Sequence, residues 1–225
     1  MTSAPAHRSH RYWPPPIWLA ALSILVAIFP PFHIRRLGAD VEGLSNPPVA
    51  GNAPAFDAQK FAESAWKDQL VPSAARATDL VALMDALAGN PVDAQQRFGR
   101  RIGIGGKTFY FVRGEAQVRS IDRKGVWLNP ERERHAPVSI RLVMGPIFGN
   151  ALRDGTGLLK TNSLSSFDAN AASVALNQIA ERSMQPILAK AVPGNRIRFA
   201  GCAEAEDAGG QWRVKVVPVV VEYAP

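Results

Sequence analysis

The sequence predicts an α+β fold in which N-terminal helices pack on a small Greek-key β-barrel of five or six strands, with one long helix set between strands. Three observations predict it. Apolar residues recur at helical spacing between about residues 57 and 97 and again from 168 to 188. From residue 108 the other stretches alternate apolar and polar side chains. The elements then follow in the order strand, strand, strand, short strand, helix, strand, strand.

The predicted organisation of the 225 residues is a cytoplasmic N-terminus over 1–12, a membrane anchor or signal segment over 13–33, a linker over 34–55 and a single periplasmic domain over 56–225. Within that domain 56–99 is the helical part and 100–225 the barrel part, enough chain for one sizeable core. The formal charge of +7 is concentrated at the start, where Arg8, Arg11, Arg35 and Arg36 stand without an acid before residue 40. The rest holds 22 basic against 19 acidic residues, so a broad phosphate-binding surface is not expected.

Trp13 to Phe32 carry no charge, and arginines flank them on both sides. Pro14, Pro15, Pro16, Pro30 and Pro31 confine the helix to Ile17–Phe29, about 20 Å of rise against a hydrocarbon core of about 30 Å. That length suits an export signal. No small-residue cleavage site follows it, however, and the nearest Ala-x-Ala is Ala53-Pro54-Ala55. The preferred expectation is therefore an uncleaved single-pass anchor in the bacterial inner membrane with Trp13 and Trp18 at the interface, a removed signal being the alternative. Residues 38–55 are rich in Gly, Pro, Ala and Asn and read as linker.

Asp57 is placed to cap a helix with Phe61, Ala65, Trp66 and Leu70 on one stripe, ended or restarted by Pro72. Leu80, Leu83, Met84 and Leu87 define a second helix, Asp79–Ala88, stopped by Gly89. Asn90-Pro91 opens a short third one towards Arg97. Gly106-Lys107-Thr108 resembles the end of a phosphate-binding loop. It lacks the earlier glycine and runs into the strand-like Thr108-Phe109-Tyr110-Phe111, which excludes that reading.

Strands are expected at Thr108–Ile121, with a bulge or bend at Gly114, at Val126–Leu128 and at Val138–Met144. Asn129–His135 is a mixed-charge loop. Gly145–Gly155 is turn-rich and ends in the adjacent opposite charges Arg153 and Asp154. A short strand at Gly157–Lys160 comes next, then a helix from Asp168 to Leu188 with Pro186 as kink or boundary. Strands Arg196–Ala203 and Trp212–Tyr223 close the chain, and Pro218 marks the last as an edge or bulged strand. A helix between the third and fourth main strands is the order of an oligonucleotide/oligosaccharide-binding (OB) barrel. Cys202, the only cysteine, reads as a buried apolar residue rather than a nucleophile.

Phe56-Asp57, Phe61, Trp66 and Leu70-Val71-Pro72, followed by Gly145-Pro146, Gly149, Ala151-Leu152-Arg153-Asp154 and Val217-Pro218-Val219, resemble the domain of unknown function 2291 family, predicted periplasmic lipoproteins of bacteria. The resemblance spans about residues 56–223. It implies a membrane-tethered accessory of solute uptake, because members are often encoded beside sugar ABC transporters, and it implies no established activity. The family's lipobox cysteine has no counterpart near the apolar run, so the tether implied here is peptide. Its Asn-Gln segment is matched loosely by Thr161–Asn170.

The expected function is thus a non-catalytic accessory or binding component, with the inner membrane, ABC transporter components or a small polar solute as partners. Arg153, Asp154, Asn150, Asn162 and Trp66 are the candidate contact residues: arginine offers a planar donor fork, aspartate and asparagine acceptors, tryptophan a stacking face. The competing reading is structural, with the Arg153–Asp154 pair pinning a tight loop and Trp66 anchoring a helix. An OB-like nucleic-acid or oligosaccharide binding module is the alternative, with Phe109, Tyr110, Phe111 and Arg113 as the nucleic-acid contacts, and an uncharacterised envelope enzyme is the second alternative. No cofactor, metal or nucleic acid is expected.

Overall fold

The computed structural model describes residues 56–101, 107–130 and 138–224. The expected N-terminus, anchor and linker lie outside the described residues, as does the mixed-charge loop from residue 131 on.

Asp57 caps helix α1 (Ala58–Ser64) by accepting the Lys60 amide at 2.9 Å. The helix then widens into a π-helical turn, Ala65–Leu70, before α2 (Val71–Ser73) and a 3₁₀ turn, Ala74–Arg76. Pro72 brings no amide of its own, and the Val71 amide just before it reaches back to the Trp66 carbonyl, a five-residue step. Strand β1 (Thr78–Asp79) leads into α3 (Leu80–Gly89), where the Asp79 carboxylate accepts the Val81 and Ala82 amides. Asn90 caps α4 (Pro91–Phe98) in the same way through the Val92 and Asp93 amides. Strand β2 (Gly99–Arg101) follows. The capping residues act where the sequence places them because each satisfies amide donors that a helix start leaves orphaned.

The long strands are β3 (Thr108–Asp122), β4 (Gly125–Pro130), β5 (Val138–Val143), β6 (Arg196–Asp207) and β7 (Trp212–Ala224). β3 pairs antiparallel with β4, β4 with β5, β7 with β6 and β6 with β3, while β5 pairs parallel with β7. The ladder path therefore returns to its start. Between β5 and β6 the chain forms α5 (Ala151–Asp154) and α6 (Ser166–Leu188), capped by Ser165. β1 and β2 pair with β3 along residues that β4 does not reach, bringing the sheet to seven strands.

Three expectations are corrected, and one of the two readings of β7 is borne out. The register shift in β3 lies between Val118 and Ser120, at Arg119, not at Gly114; Gly114 instead admits the Phe199 ring, whose Cζ would meet an added Cβ at 3.2 Å. Gly157–Lys160 is not a strand: β5 is already flanked by β4 and β7, Gly157 has φ +64°, and Leu159 turns into the helical core. β7, expected as an edge or bulged strand, is the bulged one: it lies between β5 and β6, and Gly201 pairs with Pro218 while Ala200 pairs with Val220, which leaves Val219 as the extra residue. Its ladder with β5 stops at Val216, short of Pro218. Opposite Pro218 the register shifts between Ala200 and Gly201, where a Cβ on Gly201 would sit 2.2 Å from the Val217 carbonyl oxygen. Finally, the turn-rich segment contains a helical turn, α5, rather than loop alone.

Two apolar clusters result. One fills the ring with Val112, Val126, Leu128, Ile140, Leu142 and Val214, covered by Leu83 and Leu87 of α3 and Leu188 of α6. The other lies between α1, α5, α6 and the far side of β6 and β7, around Leu70, Leu152, Leu176, Ile179, Cys202 and Val217. Trp66 packs against both. It joins the two layers and is not a free stacking face.

Candidate functional site

In the Gly145–Gly155 segment, Gly149 takes φ +92°, a left-handed conformation that glycine adopts without a Cβ clash. It turns the chain into Asn150 and α5. The Asp154 side chain is 1 % exposed and accepts Arg153 Nε at 2.6 Å and Nη2 at 2.7 Å, a two-pronged charged pair, together with Asn150 Nδ2. The third arginine nitrogen, Nη1, donates to the Ala169 carbonyl of α6 at 2.9 Å. Two further bonds stitch the segment to that helix: Asn177 Nδ2 donates to the Gly149 carbonyl at 2.9 Å, and the Ile147 amide donates to Glu181.

Arg153, Asp154 and Asn150 are thus brought together, and their hydrogen bonds run to one another and to α6. Asn162 does not join them. It is exposed in a turn closed by the Leu164 amide and the Thr161 carbonyl. Trp66 stays in the core. Beside the clamp lies a cleft of about 620 Å³, bordered by Phe148, Arg153, Asn170 and Val174.

A second surface, which the sequence reasoning missed, lies on the outside of β4, β5 and β7. Val126, Leu128, Ile140, Leu142, Val214 and Val216 point inward, so Trp127, Ser139, Arg141, Arg213 and Lys215 point out. Register sets them in rows. Trp127 faces Arg141, Arg141 faces Lys215 and Lys215 faces Glu204; one step along, Ser139 faces Arg213 and Arg213 faces Glu206. Together with Gln95, Lys107 and Thr108 these residues line a cleft of about 530 Å³.

Trp127 is held upright. Its indole Nε1 donates to Asp122 Oδ2 at 2.8 Å, while Asp122 Oδ1 accepts the Lys124 and Gly125 amides at 2.7 and 2.9 Å. The Trp127 bond first, then those amides and the Arg141 charge, hold the Asp122 carboxyl below the usual carboxylate range. Arg141 and Arg119 place their guanidinium carbons 5.2 and 5.9 Å from the indole centre, within cation–π range. Lys107 Nζ meets Glu204 Oε2 at 2.8 Å. Polar alternation in each strand was visible in the sequence, but the parallel pairing of β5 with β7, which assembles the surface, was not.

The other sequence candidates are placed plainly. Phe109 and Tyr110 are buried, so the aromatic run cannot serve as an open stacking platform. All four histidines lie outside the described residues, and among the described residues no group of three His, Cys, Asp or Glu could hold a metal ion. Cys202 is fully buried, and burial pushes its thiol pKa up. A water-soluble thiol reagent should label the native protein no faster than it unfolds, and rapid labelling in native buffer would contradict this burial.

A family model described as predicted periplasmic lipoprotein (DUF2291) matches residues 22–222. The fold is similar to the crystal structure of an OB-fold protein from Thermotoga maritima, with a TM-score of 0.62 at 21 % identity, covering 75 % of this chain and 99 % of that one. Among proteins with curated descriptions none matches. Among the described residues no helix is long and apolar enough to cross a membrane.

Proposed function

The chain belongs to the predicted periplasmic lipoprotein family DUF2291, and from that premise we propose that its domain is a non-catalytic binding or accessory component of solute uptake, tethered to the inner membrane through residues 13–33. The family supports a periplasmic location. The peptide tether is favoured because the only cysteine of the sequence is Cys202, buried in β6 and far from the apolar N-terminal run. Transport components or a small polar solute are the partners of this reading.

One observation carries the choice of surface. The Arg153–Asp154–Asn150 clamp spends its hydrogen bonds on the protein itself. Across the molecule, Arg141, Arg213 and Lys215 border an open cleft on an OB-like sheet and make no ion pair among the described residues. The clamp builds the scaffold, and the outer face of β4, β5 and β7 meets the ligand or partner. Fold likeness alone selects no ligand.

The test is a set of radiolabelled sugar uptake assays in cells lacking the protein. Uptake of at least one sugar should fall and should be restored by the full chain but not by residues 56–225 alone. Unchanged uptake across the set, or full rescue without the tether, would overturn the reading.

A further inference from the structure

Resting on that reading of the outer face, we infer that the cleft takes a phosphate-bearing ligand, seated by Arg141 of β5 and by Arg213 and Lys215 of β7. Three observations converge on it.

Arg141 and Lys215 are direct register partners on neighbouring strands, and Arg213 lies two residues from Lys215 on the same face, roughly 7 Å along the strand. Like charges directly opposite one another destabilise a sheet, so a third cation beside such a pair calls for a counter-charge. The nearby carboxylates supply it only in part, since Asp122 already answers some of the Arg141 charge. Glu204 is engaged by Lys107, and Glu206 forms no ion pair among the described residues although it faces Arg213 across the ladder.

The second observation is preorganisation. Asp122 fixes Trp127, and Trp127 supports the Arg141 guanidinium, whose N–H donors make no hydrogen bond among the described residues. A guanidinium braced on an indole loses little freedom when it grips an anion. The third is the shape and chemistry of the cleft. A cleft of about 530 Å³ bordered by Arg141, Arg213, Lys215 and Lys107 against Glu204 and Glu206 is net positive and exceeds what one flat carboxylate, satisfied by a single arginine fork, needs. A phosphate group spreads its charge over several oxygens, which three separate cations can share. The Ser139 and Thr108 hydroxyls and the Gln95 amide border the rest of the cleft and suit a hydroxylated remainder of the ligand.

The phosphate has two possible sources, a soluble phosphorylated solute or a lipid headgroup, and one assay separates them. The full chain in nonionic detergent is titrated by calorimetry with pyrophosphate, with soluble dihexanoylphosphatidylglycerol and with maltotriose, for the wild type, Lys215→Gln and Arg141→Gln. The wild type should bind a phosphate probe, and each variant should bind it at least tenfold more weakly. Lys215→Gln without ligand should melt no lower than the wild type, because it removes a repulsion. Tighter binding of pyrophosphate assigns a soluble source, and tighter binding of the lipid a headgroup; either supports the inference.

Absence of binding by both phosphate probes overturns it, as does equal binding by the variants. A lower melting point for Lys215→Gln would show that this cation is structural and overturn its place in the site. Binding of maltotriose without phosphate binding would overturn the ligand class while leaving the cleft as the binding surface. Failure of the uptake assay with phosphate binding intact would remove the transport role alone.

Discussion

Asp154→Ala is expected to lower the free energy of unfolding by about 3–5 kcal/mol, the range for removing one partner of a buried ion pair. The carboxylate is almost entirely buried, and it is the acceptor for Arg153 Nε and Nη2 and for Asn150 Nδ2. Without it, an Arg153 side chain only 16 % exposed is left with its charge uncompensated, and the bond to the Ala169 carbonyl answers only one of its nitrogens. Leaving buried donors unpaired costs more than the net value of the bonds themselves. Urea denaturation followed by circular dichroism measures the effect, with Arg153→Ala as the companion. A loss below about 1 kcal/mol, the scale of an exposed pair, would mean that the clamp does not hold the segment.

Leu152→Ala, one residue away, should cost roughly 2–5 kcal/mol through a different mechanism. Leu152 is fully buried and belongs to the cluster that α1, α5, α6 and the far side of β6 and β7 share. Truncation to a methyl removes three carbons and their contacts and leaves a hole bounded by helices on one side and sheet on the other, where neither can close in fully. The same denaturation experiment reads it. Retention of near wild-type stability would show that α5 is held by its polar bonds alone.

Local features of the fold were legible in the sequence wherever one short stretch contains its own reason. Asp57 and Asn90 cap helices as their positions foretold, because a cap needs only the next three residues, and Asp79, expected as the first residue of its helix, caps it instead. The β alternation from residue 108 and the single helix before the last two strands gave the OB-like order. Features that depend on distant partners were not legible. The bulge lies at Arg119, and Gly114 instead leaves room for the ring of Phe199, which is far along the chain. The expected strand at Gly157–Lys160 had no strand edge left to join.

The candidate site divides in the same way. Asn150, Arg153 and Asp154 are close in sequence and meet in space, whereas Asn162 and Trp66 were grouped with them by residue type and lie elsewhere. The cleft residues Trp127, Arg141 and Lys215 come from three strands, and only their register makes them neighbours.

The returning ladder path also governs how the domain resists self-association. Each long strand has a partner on both sides over much of its length, so a passing extended chain finds few free backbone groups to pair with. The stretch of β7 beyond Val216 has no β5 partner, but Val217, Pro218 and Val219 are buried there, with Val217 and Val219 in the cluster shared with the helices. Covering an unpaired strand border with another layer is one way proteins discourage aggregation by strand addition, so the helical layer that completes the second apolar cluster also guards β7 against edge-to-edge assembly.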